Sequence, residues 1–265
     1  MNATPELEIL LPVHNEAGSI EATVREIYEE LSPQVVLRFL ICEDGSKDDT
    51  KAILRRLSES LPIKLIFSEE RKGYSRAVMD GMKLLEAPYL LCLDSDGQCD
   101  PGDFGHFWKV RTESDVVLGR RMNRADALLR KVLSRTFYYI YRFFYGIPVQ
   151  DPSCPYVLVR KDVVDVLVGE LGAMQQGFWW EFVARVHRHG FSIRELPVHH
   201  RARTFGTTQV YKLHKLPGIG WRHFFALWKI WLQTRRSVLE RRTHANSRQV
   251  AGVGKESSAR EHHFS

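Results

Sequence analysis

The first 120 residues alternate short apolar runs with longer amphipathic ones, and that alternation restricts the fold more than any other feature of the chain. ELEILLPV (6–13), VVLRFLICE (35–43), IKLIFS (63–68), PYLLCLD (88–94) and DVVLG (115–119) read as strands. Between them SIEATVREIYEEL, DTKAILRRLSES, GYSRAVMDGMKLLEA and DPGDFGHFWKV read as helices. Asp48 or Asp49, and Asp100, stand at N-cap positions, with Pro101 in a first turn. Strands joined by helical crossovers pair in parallel, which predicts a doubly wound α/β sheet. In such sheets ligands bind beyond the C-terminal ends of the strands.

The pattern changes after residue 120. A long helix over about 124–145 leads to an irregular segment, QDPSCPYVLVR, then to a helix around GFWWEFVARVHRHG and a strand, FSIRELPVHH. A loop, RARTFGTTQVYK, follows. LPGIGWRHFFALWKIWLQTRR (216–236) sets Trp, Phe and Leu on a basic framework, which predicts an amphipathic helix. From about residue 243 the chain is polar and aperiodic. The expected organisation is a main domain over 1–215, a basic and aromatic helical segment over 216–242, and a disordered tail over 243–265.

Charge is distributed unevenly. Residues 200–265 hold 13 Lys and Arg against 3 Asp and Glu, leaving 25 against 29 in residues 1–199. A basic C-terminal part suits nucleic acid, anionic lipid or an acidic partner. Cys42, Cys92, Cys99 and Cys154 lack the CxxC spacing of a zinc site and read as reduced thiols of a cytosolic protein. Met1 to Glu8 does not read as a signal peptide, and no apolar stretch approaches the roughly 20 residues that span a bilayer. No membrane anchor is therefore expected.

Three strand ends gather polar groups on one edge of the expected sheet. In LDSDGQ, side chains two apart along an extended chain point to the same side, so Asp94, Asp96 and Gln98 can converge. Two adjacent carboxylates repel unless a cation or proton lies between them. Mg2+ or Mn2+ takes oxygen ligands, accepts one or two carboxylates, and completes its shell with water and phosphates. A diphosphate-bearing molecule is the natural companion. The alternative is an Asx-turn and a cap for the helix near Asp100. At the second end, ICEDGSKDDT, Glu43 and Asp44 can accept hydrogen bonds from a nucleobase edge or a ribose, while Gly45 and Ser46 turn into the next helix. At the third, LPVHNEAGSIE, Pro12, Asn15 and Glu16 occupy a strand-to-helix loop.

In order and spacing, LPVHNEAGSI, EDGSKDDT, LDSDGQ, Gly119-Arg120 and HHRARTFGTTQVY resemble the family 2 inverting glycosyltransferases. The similarity is strongest to the dolichol-phosphate mannose synthase-like branch and its bacterial polyprenyl-phosphate relatives, and it covers residues 8–213. The resemblance implies a GT-A fold and a UDP- or GDP-sugar donor. It implies that Pro12, Glu16 and Asp44 hold the nucleoside, and that Asp94, Asp96 and Gln98 ligate Mg2+ or Mn2+ at the donor diphosphate. Asn15, Gly45, Ser46, Ser95 and Arg201 complete the expected donor site. His14, Glu43 and Thr207-Thr208 depart from the residues usual in the family.

In an inverting transfer charge grows on the departing diphosphate, and Arg120, Arg201 and Arg203 are the candidates to stabilise it beside the metal. An alcohol acceptor needs a general base, for which Asp151 or Glu181 could serve; a lipid monophosphate needs none. Glu181 could equally orient the acceptor site, and Trp179 and Trp180 could stack on a sugar or fill core. The basic aromatic helix can lie in a membrane interface beside a polyprenyl phosphate, or pack on protein. The expected site of action is cytoplasmic, at the inner face of the membrane.

Two rival readings are weaker. A dehalogenase-type phosphohydrolase also places DxD after an apolar strand, but Gln98 and the fourth-strand position argue against it. A nucleic-acid-binding scaffold leaves three acidic strand ends unexplained, since without a metal they repel phosphate. No nucleic-acid partner is expected.

Overall fold

The computed structural model describes residues 4–122, 128–175, 177–201, 221 and 224–232, with the backbone alone for 128–136. Seven strands form one sheet: β1 (Leu7–Val13), β2 (Leu37–Asp44), β3 (Ile63–Ser68), β4 (Tyr89–Cys92), β5 (Val116–Arg121), β6 (Val157–Arg160) and β7 (Ile193–Val198). Helices α1 (Ile20–Leu31), α2 (Thr50–Ser58), α3 (Tyr74–Met82), α4 (Phe104–Lys109), α5 (Leu128–Tyr145), α6 (Lys161–Leu167) and α7 (Phe178–Arg188) flank it. The spatial order is β3-β2-β1-β4-β6-β5-β7. Every pairing is parallel except those of β6, which runs antiparallel between β4 and β5.

Period-two alternation explains why the sheet is covered on both sides. Leu7, Ile9, Leu11 and Val13 of β1 join Phe39, Ile41 and Leu91 in one buried layer with α1 and α4. Leu10, Leu40, Cys42, Leu90 and Cys92 point the other way, into a layer with Val78 and Met82 of α3 and Phe178 and Phe182 of α7. One charged residue interrupts this run. Glu8 is fully buried, accepts the amides of Glu86 and Ala87, and pairs with Arg38, its register partner on β2.

The structure corrects the sequence reading in several places. QDPSCPYVLVR is not wholly irregular, since its last four residues form β6 and lead without a turn into α6, which the sequence reading did not separate. Helix α3 ends at Met82 rather than Ala87. β4 stops at Cys92, so Asp94 and Asp96 stand on a loop and not on a continued strand. Asp100 does cap the following turn, accepting the amide of Gly102, with Pro101 at its first position.

At the far end, residues 224–232 are helical, as expected for part of the 216–236 segment. Leu227 and Ile230 are buried in the α3 and α7 layer, and the Tyr145 hydroxyl donates to the Leu227 carbonyl at 2.6 Å. The tail 243–265, the loop 202–212 with Arg203 and Thr207-Thr208, and residues 124–127 of the expected long helix lie outside the described residues. No helix among the described residues is long and apolar enough to cross a membrane.

Candidate active site

The C-terminal ends of β1 and β2 are stitched together by their own side chains. Asn15 adopts a left-handed conformation (φ 54°), which costs energy for a non-glycine residue. It is held there because its amide donates to Ser46 Oγ (2.9 Å) and its Oδ1 accepts from the Lys47 amide (2.9 Å). The Glu16 amide donates to Thr50 Oγ1 (2.9 Å), and the Ala17 amide to Asp48 Oδ2 (3.2 Å). Asp48 also takes the Thr50 amide and hydroxyl, so it serves the turn, whereas Asp49, at the N-cap of α2, makes no capping bond. His14 Nδ1 lies 2.7 Å from the Asp44 carbonyl. A carbonyl only accepts, so Nδ1 carries the proton and Nε2 accepts from the Asn15 side-chain Nδ2 at 3.2 Å.

Asp44 and Glu43 differ in what holds them. Glu43 is buried, accepts the Ser46 amide and has Lys51 Nζ 3.6 Å away, which makes it the closure of the 43–46 turn. Asp44 accepts the amides of Lys72 (2.6 Å) and Gly73 (2.8 Å) from the loop after β3. Gly45 (φ 66°) allows this approach: a Cβ there would stand 2.6 Å from the Arg71 nitrogen. A carboxylate offers about four acceptor sites, so two amide bonds still leave it able to receive a ligand donor.

The loop after β4 carries the acidic lip. Ser95 is buried and donates to the Pro12 carbonyl at 2.9 Å, which joins the loop after β4 to β1. Asp96 accepts the Gln98 amide (3.1 Å) around Gly97, whose φ is 73°. The turn expected as an alternative to a ligand site is therefore present, and it aligns the lip. The Asp94 Oδ1 accepts from the Tyr74 hydroxyl at 2.9 Å. Gln98 gives its amide nitrogen to the Arg201 carbonyl (3.1 Å), so only its Oε1 suits a cation.

The arginines at this edge have partners within the chain. Arg201 pairs with Glu26 (2.6 Å) and Asp100 (2.8 Å) on the rim of the strand-end edge. Arg120 donates to Gln150 Oε1 (2.9 Å). Its neighbour Arg121, which the sequence reading passed over, grips Asp151 with two nitrogens at 2.8 Å each and touches Ser153 Oγ at 2.6 Å. Burial disfavours the Arg121 charge, but the Asp151 carboxylate more than offsets this and raises its pKa. Asp94 lies near enough to add to that effect. Glu195 accepts the amides of Gln150 and Asp151 and so fixes this loop; burial raises its pKa.

Glu181, expected either as a base or as a residue that orients the acceptor site, lies inside the core. It is fully buried, accepts the amides of Gly172 (3.3 Å) and Met174 (2.7 Å), and pairs with Arg185 at 2.9 Å. It anchors the 172–174 loop instead of facing the crevice. Trp179 is buried beside Phe178 and Phe182, in line with the core-filling alternative, yet its indole nitrogen donates to the Tyr74 hydroxyl at 2.9 Å. The Asp103 carboxylate takes the His199 amide and Nδ1, raising the His199 pKa, so this histidine secures the end of β7.

The parallel pairing of β1 with β2 and β4 sets the acidic side chains of Asp44, Asp94 and Asp96 at the C-terminal strand ends, the edge at which doubly wound sheets bind ligands. The chain belongs to glycosyl transferase family 2, whose model matches residues 8–168. It is 27% identical over 243 residues to glycosyltransferase AglD of Haloferax volcanii, covering 87% of this chain and 38% of that protein. It is 28% identical over 167 residues to the undecaprenyl-phosphate 4-deoxy-4-formamido-L-arabinose transferase of Pseudomonas syringae pv. syringae, covering 61% and 49%. The chain thus spans less than half the length of either relative. In fold it matches glucosyl-3-phosphoglycerate synthase of Mycobacterium tuberculosis, solved with Mn2+, UDP and phosphoglyceric acid, with a TM-score of 0.64 at 16% identity over 86% of this chain and 78% of that one. The fold is GT-A.

Proposed function

We propose that the protein transfers a sugar, with inversion, from a UDP- or GDP-sugar to a polyprenyl phosphate at a membrane surface, with Mg2+ or Mn2+ bound. The observation that carries the donor half is the convergence of Asp44, Asp94 and Asp96 on one sheet edge of a family 2 enzyme. Asp44, with Pro12 and Glu16, takes the nucleoside; Asp94 and Asp96, with Gln98 Oε1, take the cation. The donor set fits such an ion: hard cations accept one or two carboxylates and complete their shell with water and phosphate oxygens. Among the described residues no group of three or more acidic, His or Cys side chains forms a cage that would hold a metal unaided. A phosphate-bearing ligand would complete it. When bound, the ion supplies charge stabilisation to the departing diphosphate. Arg120, Arg201 and Arg203 are the candidates to assist.

The acceptor half rests on the surroundings of the two carboxylates named as candidate bases. Asp151 is neutralised by Arg121, and Glu181 is sealed against Arg185. A general base must stand within hydrogen-bond reach of the proton it takes, and the oxygens of both carboxylates are instead turned to a guanidinium and to neighbouring protein groups. An acceptor that is already anionic needs no such base, and a lipid monophosphate satisfies this. The name of the undecaprenyl-phosphate transferase agrees with it.

The aromatic surface supports action at a membrane. The helix 224–232 turns Leu227 and Ile230 inward and leaves Phe225 59% exposed, with Trp221, Trp228 and Leu232 also outward. Phe143 of α5, next to its contact Phe144–Phe224, is 87% exposed. One face of this helix thus packs on protein, and the opposite, exposed face is the one assigned to the membrane in this reading. Aromatic side chains beside basic ones partition into the headgroup region. Replacing Phe225 and Trp228 together by Ser is expected to weaken binding to anionic vesicles by about tenfold or more, with an unchanged melting temperature. Equal sedimentation of wild type and variant with vesicles would remove the membrane role from this face.

A thermal shift panel tests the donor. Stabilisation by UDP or GDP that requires Mn2+ or Mg2+ supports the reading, whereas stabilisation by DNA without metal would favour the scaffold alternative.

A further inference from the structure

Residues 72 to 74 connect the two ends of the crevice. The Lys72 and Gly73 amides bind Asp44 on the nucleoside side, and the next residue, Tyr74, opens α3 and binds Asp94 on the diphosphate side. The direction of the hydrogen bonds is fixed by chemistry. An indole N–H only donates and a carboxylate only accepts, so the order is Trp179 Nε1–H to Tyr74 oxygen, then Tyr74 O–H to Asp94 Oδ1, each at 2.9 Å.

The anchors behind this pair are rigid. Trp179 is buried on α7 and packed edge-on against Phe178 (5.1 Å) and Phe182 (5.5 Å). Ser75 donates to the Gln175 carbonyl at 2.8 Å, and Glu181 holds the same loop through Met174. Tyr74 as a residue is 39% exposed, so core packing alone does not demand a phenol at this position.

We infer that Tyr74 is a positioning residue that sets the Asp94 carboxylate for the cation and links it to the nucleoside end through residues 72 and 73. This rests on the proposal that Asp94 is a metal ligand. A partner that orients a ligating carboxylate tunes metal affinity, and losing one typically weakens metal binding by about 10- to 100-fold.

The test is Mn2+ binding to the full chain, read from the paramagnetic resonance signal of free Mn2+ with saturating UDP, and in parallel GDP. Tyr74→Phe is expected to raise the Mn2+ dissociation constant by about tenfold or more. Binding of uridine or guanosine without metal is expected to stay unchanged, which a general collapse of the 70–74 loop would not allow. Wild-type Mn2+ affinity in Tyr74→Phe beside a weakened Asp94→Asn would overturn the role of Tyr74 while leaving the metal proposal standing. Wild-type affinity in Asp94→Asn would overturn the metal proposal itself. If Tyr74→Phe fails to fold, Trp179→Phe replaces it: the phenol keeps Asp94 but loses its own anchor, and a weakening of about threefold is expected. An unchanged constant in that variant would overturn the inference.

Discussion

Asp96→Asn is expected to lower sugar transfer by about two to three orders of magnitude, with the melting temperature unchanged. The substitution keeps shape and removes one negative charge from the acidic lip. The interaction lost is with charge that develops on the departing diphosphate, and removing one such contact typically costs about 3–4 kcal/mol of barrier. The fold should tolerate the change. Asp96 stands on an exposed-side loop, and the turn bond it makes to the Gln98 amide can be made by the asparagine carbonyl. Initial rates measured with a saturating donor and metal, beside a thermal melt, separate the two effects. A rate within about twofold of wild type would take the metal role away from this residue.

Glu181→Ala is expected to act in the opposite way, through stability. Its carboxylate is fully buried and holds Arg185, itself 3% exposed, together with two backbone amides. Removing one partner leaves a guanidinium buried against the weaker contact with Glu170 at 3.2 Å. Breaking a buried pair from one side typically costs about 3–5 kcal/mol. At roughly 2–4 °C per kcal/mol for a chain of this size, the melting temperature should fall by roughly 6–20 °C. Loss of activity at low temperature with no loss of stability would instead mark Glu181 as a catalytic group.

The sheet was legible because its strands are short apolar runs bounded by turn residues, and because their alternation puts Leu10 and Leu11 in opposite layers. β6 and α6 were not. Four strand residues are too few to show a period, and Arg160 passes directly into Lys161 with no glycine or proline to mark the boundary. Among site residues, the acidic strand ends could be read from position alone. Which charges are sealed could not. Glu181 and Arg185 show their four-residue spacing in the sequence, but only packing reveals that both are buried. Arg120 and Arg121 are neighbours on a strand and point to opposite faces, so register decides which one meets Asp151. The pairing of Arg201 was hidden because Glu26 and Asp100, its partners, lie far away in sequence. Tyr74 gave no signal: as the first residue of an amphipathic helix it could have faced anywhere.

The central claim is tested by following label from a panel of UDP- and GDP-sugars onto a short-chain polyprenyl phosphate, with Mn2+ or Mg2+ and again with chelator. The account predicts that at least one donor labels the lipid, and that chelation removes at least about 99% of the transfer. Undiminished transfer in chelator, or no labelled lipid and no donor hydrolysis with any member of the panel, would contradict it.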